Sequence, residues 1–236
     1  MKGERDEPEG GMLSVVATPI GNLGDITFRA IETLRAADAI ACEDTRVTAK
    51  LLARFEISKP LLIYHAQSGR LASTRILSML GEGKHIALVT DAGTPGISDP
   101  GSQLVNEVRR TFRDEVRIVA IPGPSALTAG LSIAGIPTHE FIFVGFLPHK
   151  KGRQTQFKEI AEAEKTVVFY ESPHRILKAL ESLKEVLTDD RKVVVLRELT
   201  KIHESLVDGT ATEVFEYFNT HPQHVRGEFV VCVSTG

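Results

Sequence analysis

The chain has 236 residues, 42% hydrophobic and 25% charged, which excludes disordered and collagen-like classes and leaves one large domain or two small ones. A net charge of −3 excludes an indiscriminate sink for nucleic acid, and two cysteines, Cys42 and Cys232, exclude a disulfide scaffold and fit a reducing compartment.

Residues 1–11, MKGERDEPEGG, are polar and Gly/Pro-rich and predict a disordered tail. That tail carries a charge of −2, so the remainder of the chain is nearly neutral at −1. Runs such as Leu13–Ala17 and Val193–Leu196 are too short to cross a bilayer, so a cytoplasmic protein without membrane contact is expected. Short β-branched runs predict strands at Leu13–Thr18, Ala39–Glu43, Leu61–Tyr64, Ile86–Thr90 and Val116–Ala120. Further runs predict strands at Phe141–Gly145, Thr166–Glu171, Val193–Arg197, His203–Asp208 and Glu228–Val233. Helical periodicity lies between them. Thr27 is an N-cap candidate for a helix over Thr27–Ala37 that presents Phe28, Ile31 and Leu34 on one face. A helix over Pro124–Ala134 stops at Gly135, with Pro137 just beyond. Ser172-Pro173 reads as an N-cap with proline at N1, opening a helix whose stripe is Ile176, Leu180, Leu183 and Leu187. The pattern predicts two α/β domains with mixed sheets, over 12–121 and 122–236, with antiparallel strands in the last third.

Three Gly/Pro-rich loops follow strand candidates directly: Thr18–Gly24, Asp91–Gly101 and Ile121–Ala126. Ligands bind outside the carboxyl ends of strands in open α/β sheets, and the second loop is longer than a turn requires. A ligand pocket follows, although tight turns account for each loop singly. No G-x-x-x-x-G-K-[ST], G-x-G-x-x-G or G-x-S-x-G occurs, so triphosphate, dinucleotide and hydrolase sites lack support. Loops offering Asp, Thr, Ser and backbone groups suit a ligand with hydroxyls and an amine. The eight histidines lack partners at ligand spacing, so no metal is expected. Further polar clusters stand at strand ends: Glu43–Arg46, Tyr170–Arg175 and Arg197–Lys201. Lys150, Lys151, Arg153 and Lys158 form a local basic run without acidic counterparts, either a solvated surface or an anion contact.

The runs Thr18-Pro19-Ile20-Gly21-Asn22-Leu23-Gly24-Asp25-Ile26-Thr27, Glu43-Asp44-Thr45-Arg46, Asp91-Ala92-Gly93-Thr94-Pro95 and Ser98-Asp99-Pro100-Gly101 resemble the tetrapyrrole-methylase-like superfamily. Pro122-Gly123-Pro124, Gly145-Phe146-Leu147-Pro148, Phe169-Tyr170-Glu171-Ser172, His174-Arg175 and Arg197-Glu198-Leu199-Thr200-Lys201 extend the likeness over about residues 12–234. It is greatest to the branch that methylates a ribose 2′-oxygen, of a cytidine in the decoding region of small-subunit ribosomal RNA. The resemblance implies a homodimer binding S-adenosylmethionine in a cleft between two α/β domains, with the small-subunit RNA or the 30S particle as partner. Cofactor contacts are implied at Thr18, Pro19, Gly21, Asp91, Ala92, Gly93, Thr94, Pro95, Ser125, Ala126 and Tyr170. Where the tetrapyrrole branch reads close to Ser-Gly-Asp-Pro, this chain has Thr90-Asp91-Ala92-Gly93, a departure that argues against a corrin or porphyrin substrate. Glu171 and Asp44 are then the candidate bases, with Arg46 and Arg175 holding phosphate or orienting those carboxylates, and Lys150, Lys151 and Arg153 the candidate RNA contacts. Methylation of a small molecule such as a tetrapyrrole, or a non-catalytic RNA-binding assembly role, are the alternatives.

Overall fold

A computed structural model describes residues 10–65 and 69–236 of the chain. The chain divides into two compact units, one ending at Ser125 and the other running from Ala126 to Gly236. The division falls past the expected boundary at Ile121 because the Pro122–Ser125 loop stays with the first unit. There Thr94 Oγ1 donates to the Pro124 carbonyl at 3.1 Å.

In the first unit, β1 (Met12–Val16), β2 (Ala39–Cys42), β3 (Leu61–Ile63), β4 (His85–Leu88) and β5 (Arg117–Ile121) form a sheet in the order β3-β2-β4-β1-β5. Every pairing is parallel, so all five carboxyl ends lie along one edge. Helices α1 (Phe28–Ala36) and α2 (Thr45–Arg54) cover one face, where Ala30, Leu34 and Leu52 meet Val16, Ile40, Ala87 and Ile121. Helices α3 (Gly69–Gly81) and α4 (Gly101–Phe112) cover the other, where Ile76, Leu80, Leu104 and Val108 meet Leu13, Ala41, Ile86 and Leu88. Burial on both faces explains the nearly unbroken apolar runs. Each fully buried Leu or Ile contributes about 1.5–3 kcal/mol.

Of the tail expected over residues 1–11, residues 1–9 lie outside the described residues, but Gly11 belongs to the fold. It is buried, and its carbonyl accepts from the Arg117 amide at 3.0 Å. A β-carbon there would stand 2.2 Å from the Leu80 carbonyl oxygen, so only glycine fits. Thr27 caps α1 as expected, accepting from the Ala30 amide, but Phe28 is 88% exposed. Each i+3 step falls 60° short of a full turn at 100° per residue, so Phe28 lies about 120° away from Leu34 around the helix.

In the second unit, β6 (Phe141–Phe146), β7 (Thr166–Glu171), β8 (Val193–Arg197), β9 (Ser205–Gly209) and β10 (Phe229–Val233) order as β6-β7-β10-β8-β9. Only β6 and β7 pair in parallel; the other three pairings are antiparallel. One face carries α6 (Arg153–Glu162), α7 (Ile176–Val186) and α8 (Ala211–Thr220), whose Phe157, Ile160, Leu180, Leu183, Val214 and Phe218 meet Phe169, Val195 and Val231. Helix α5 (Ala126–Ile133) packs on the opposite face, where a β-carbon on Gly130 would lie 3.2 Å from Val230. Helix α7 begins after Arg175, not at Ser172-Pro173, and Ser172 supplies no side-chain cap. Arg175 sits at φ −126, its guanidinium meets Glu171 Oε1 at 2.8 Å, and the Ser172 carbonyl accepts from the Arg175 and Ile176 amides.

Candidate functional site

The first unit's connections define a crevice. The chain leaves β1 toward α1 on one face and leaves β4 toward α4 on the other, and β1 and β4 are neighbours. Such a divergence opens space at the carboxyl ends of the two strands, the usual ligand position in open α/β sheets. The loops after β1 and β4 meet there. The Thr18 amide donates to the Gly93 carbonyl at 2.9 Å, and the Gly93 amide returns a bond to the Thr18 carbonyl at 3.0 Å. Thr18 is buried, and its hydroxyl donates to the Thr90 carbonyl at 3.1 Å. Gly93 holds φ +86, a conformation L side chains rarely adopt.

The long second loop is braced from within. Asp99 accepts from the Gly96 amide at 2.8 and 2.9 Å and from the Gly101 amide at 2.7 Å, tying the loop to the start of α4. Its position just before Pro100-Gly101 was the available signal, since an Asx side chain bonds nearby backbone amides. Asp91 and Ala92 remain exposed at the tip, while Gly93 and Pro95 are buried. Pro19 is half-buried and Gly21 exposed.

Beside this crevice, Glu43 accepts from the Thr90 hydroxyl, and Asp91 Oδ1 accepts from the Asp44 amide at 3.1 Å. Asp44 is the N-cap of α2: its Oδ1 accepts from the Arg46 amide at 2.8 Å and its Oδ2 meets Arg46 Nη2 at 2.6 Å. These bonds hold its carboxyl at about 2, well below the usual carboxylate range. So low a proton affinity makes Asp44 a poor base. Its bonds are those of a helix cap and a partner for Arg46, whose side chain is 85% exposed.

In the second unit, the carboxyl ends of β6, β7 and β8 share one edge of the sheet. Glu171, at the end of β7, has a fully enclosed side chain. Its Oε2 meets Arg153 Nη2 at 3.2 Å, and its Oε1 meets Arg175 Nε at 2.8 Å and accepts from the Ser172 amide at 2.8 Å. The two arginines carry the restraint onward, Arg175 donating to the Leu147 carbonyl at 2.9 Å and Arg153 to the Pro148 carbonyl at 3.2 Å. With both oxygens engaged and no exposed surface, Glu171 anchors the segment between β6 and α6 and does not present a free carboxylate. Arg153 differs from its expected place among the phosphate contacts: it is 13% exposed, paired with Glu171, and lies 5.2 Å from the Phe157 ring centroid. Lys150 and Lys151 are exposed on the segment it restrains. Tyr170 packs edge-on against Phe143 and Phe146, and burial pushes its phenol up.

The four candidates for chemistry therefore fall into two pairs, Asp44 with Arg46 in the first unit and Glu171 with Arg175 in the second. Ser125 ends the first unit, and Ala126 opens α5. Burial raises the thiols of Cys42 and Cys232, the latter to about 12. Among the described residues no group of three or more His, Cys, Asp or Glu could hold a metal, and no helix is long and apolar enough to cross a membrane.

Comparison with known proteins adds to this geometry. The profile of the family described as Tetrapyrrole (Corrin/Porphyrin) Methylases matches residues 12–214. A Thermotoga maritima protein described as Ribosomal RNA small subunit methyltransferase I is 42% identical over 95% of this chain and 98% of its own. Proteins of the same description from Synechocystis sp. and Escherichia coli O157:H7 are 44% and 45% identical over 95% and 94% of this chain, covering 79% and 77% of their own lengths. Among solved structures, the methyltransferase CobJ superposes with a TM-score of 0.68 at 20% identity over 96% of this chain and 95% of its own. The cobalt precorrin-4 methyltransferase CbiF does so with a TM-score of 0.68 at 18% identity, covering 98% of each chain. At those identities the likeness is one of fold.

Proposed function

The chain belongs to the tetrapyrrole (corrin/porphyrin) methylase family, and from that premise we propose that it transfers a methyl group from S-adenosylmethionine to a ribose 2′-oxygen in small-subunit ribosomal RNA. The nucleotide of this reading is a cytidine of the decoding region. What carries the reading is the 42% identity to a protein described as Ribosomal RNA small subunit methyltransferase I, over nearly the whole of both chains.

The first unit's crevice suits such a cofactor. S-adenosylmethionine is cationic and carries ribose hydroxyls and an amine, and neither the Thr18–Gly21 loop nor the Asp91–Gly101 loop contains Lys or Arg. Asp91 offers an exposed carboxylate there, and the Gly93 backbone admits close approach. Thr18, Pro19, Gly21, Ala92, Thr94 and Pro95 complete the proposed binding loops; Ser125, Ala126 and Tyr170 are the proposed further contacts. When bound, the cofactor supplies an activated sulfonium methyl. The protein has to hold the ribose oxygen in line with it, and orientation of this kind supplies about 7–11 kcal/mol of a barrier. Stiff loops favour such alignment, and here the Asp99 brace and the paired Thr18–Gly93 bonds fix the crevice before any ligand arrives. Glu171 acts through Arg175 and Arg153, setting the segment on which Lys150 and Lys151 meet RNA phosphates. Arg46, exposed beside Asp91, is a further phosphate contact. The same reading makes the protein a homodimer in the cytoplasm.

The test is incubation with radiolabelled S-adenosylmethionine and, separately, 30S subunits, naked 16S RNA and uroporphyrinogen, followed by mapping of the label. Label on a ribose 2′-oxygen of the RNA is expected. Label on the tetrapyrrole alone, or RNA binding without transfer, overturns the reading.

A further inference from the structure

We propose a second anion-binding surface on the first unit: an open groove lined by Arg109, Arg113 and Arg117 that takes phosphate groups of the RNA backbone. The groove encloses about 580 Å³ and is completed by Val116, Ile118 and Asp114. All three arginines are exposed. None of their guanidinium groups has an ion pair or hydrogen bond among the described residues, so all three are free to meet a ligand. Three like charges around one groove repel each other and gain from an anion between them. Guanidinium groups suit phosphate oxygens in particular, since their planar fork donates two parallel bonds.

Two structural roles account for part of this cluster. Arg109 lies in the last turn of α4, where a cation offsets the helix dipole, and Arg117 opens the edge strand β5, where a charge discourages pairing with another chain. Arg113 is different. It forms the C-cap of α4 at φ +51 and ψ −111, where glycine would sit without steric cost. The fold therefore holds a guanidinium at this point against its backbone preference.

The groove is also distant from the cofactor loops. Arg117 stands at the amino end of β5, and the Pro122–Ser125 loop follows its carboxyl end, so about 13 Å of strand separates them at about 3.3 Å per residue. A folded RNA is long enough to engage both places at once. The inference rests on the proposed function only in naming RNA as the polyanion.

Retention of 16S RNA on filters, measured from about 50 to about 200 mM KCl, tests it. The variant carrying Arg109→Gln, Arg113→Gln and Arg117→Gln is expected to bind about tenfold or more weakly, with a salt slope shallower by about 2, as loss of three phosphate contacts requires. Stabilisation against heat by S-adenosylmethionine should be unchanged in the same variant, which shows that it folds and keeps the crevice. The matching triple lysine variant should keep the slope, because charge is retained. Equal affinity and slope in the glutamine variant and the parent overturn the groove alone. Methyl transfer by the parent is scored separately, and its absence overturns the proposed function. A parent that retains no RNA overturns both.

Discussion

Replacing Glu171 by glutamine removes one negative charge between two guanidinium groups whose side chains are only 13% and 17% exposed. Removal of one partner from a buried ion pair costs about 3–5 kcal/mol, because the remaining charge is left uncompensated. Glutamine keeps the length and one carbonyl acceptor for the Ser172 amide, so the lower end applies, about 3 kcal/mol. For a chain of this size about 2–4 °C is lost per kcal/mol, which gives a fall of about 6–12 °C in the unfolding temperature. Differential scanning calorimetry measures that fall. The double variant supplies the sharper check: Arg153→Gln added to Glu171→Gln should cost less than Arg153→Gln alone, with a coupling of about 0.5–3 kcal/mol. Turnover should fall mainly through weaker RNA binding, with the pH profile unchanged in shape. An unaltered unfolding temperature, together with a turnover loss of about 10²–10⁴-fold and a vanished acidic limb, would refute the anchoring role and make Glu171 a base.

The Asp44 carboxyl should titrate near pH 2 when followed by carbon-13 NMR. A pKa lowered on folding means that the Asp44 cap stabilises fully above the ordinary value near 3.9 and fades as pH falls toward 2; a midpoint near 4 would contradict the Arg46 bonds. Cys42 and Cys232 are both fully buried, so neither should react with a water-soluble disulfide reagent in the native protein, whereas both should react in denaturant. Prompt labelling of the native chain at either position would show that its strand is open to solvent.

The ten strands were legible because β-branched runs bounded by Gly, Pro and polar residues leave little room for another reading. The prominence of the loops after β1 and β4, which the structure joins through Thr18 and Gly93, was legible for a related reason: Thr18-Pro19 and Asp91–Gly101 combine flexibility and stiffness where turns need neither. What the sequence concealed was the direction of side chains. Arg153 belonged by composition to a basic run with Lys150 and Lys151, yet it faces inward to Glu171. Its spacing of four residues from Phe157 is a helical signal for that direction, which net charge along the run does not carry. Ser172-Pro173 has the composition of a helix start, but Arg175 is the non-helical N-cap and pairs with the same carboxylate, so α7 begins at Ile176. Gly11 has the composition of a tail, but its carbonyl accepts from the Arg117 amide and the Leu80 carbonyl approaches it closely, and composition records neither.

The order β3-β2-β4-β1-β5 also constrains how the nascent chain can fold. Strand β1 emerges first but pairs only with β4 and β5, so Met12 must wait for His85 and Arg117. At about 5–20 residues per second, the 73 residues from Met12 to His85 take about 4–15 s to synthesise. During that interval β2 and β3 can pair locally, while Leu13 and Val16 of β1 stay without the sheet neighbours that later bury them. The strand that fixes the proposed cofactor crevice is thus the last to gain its partners among the first three made, and its apolar side chains wait longest for the sheet that covers them.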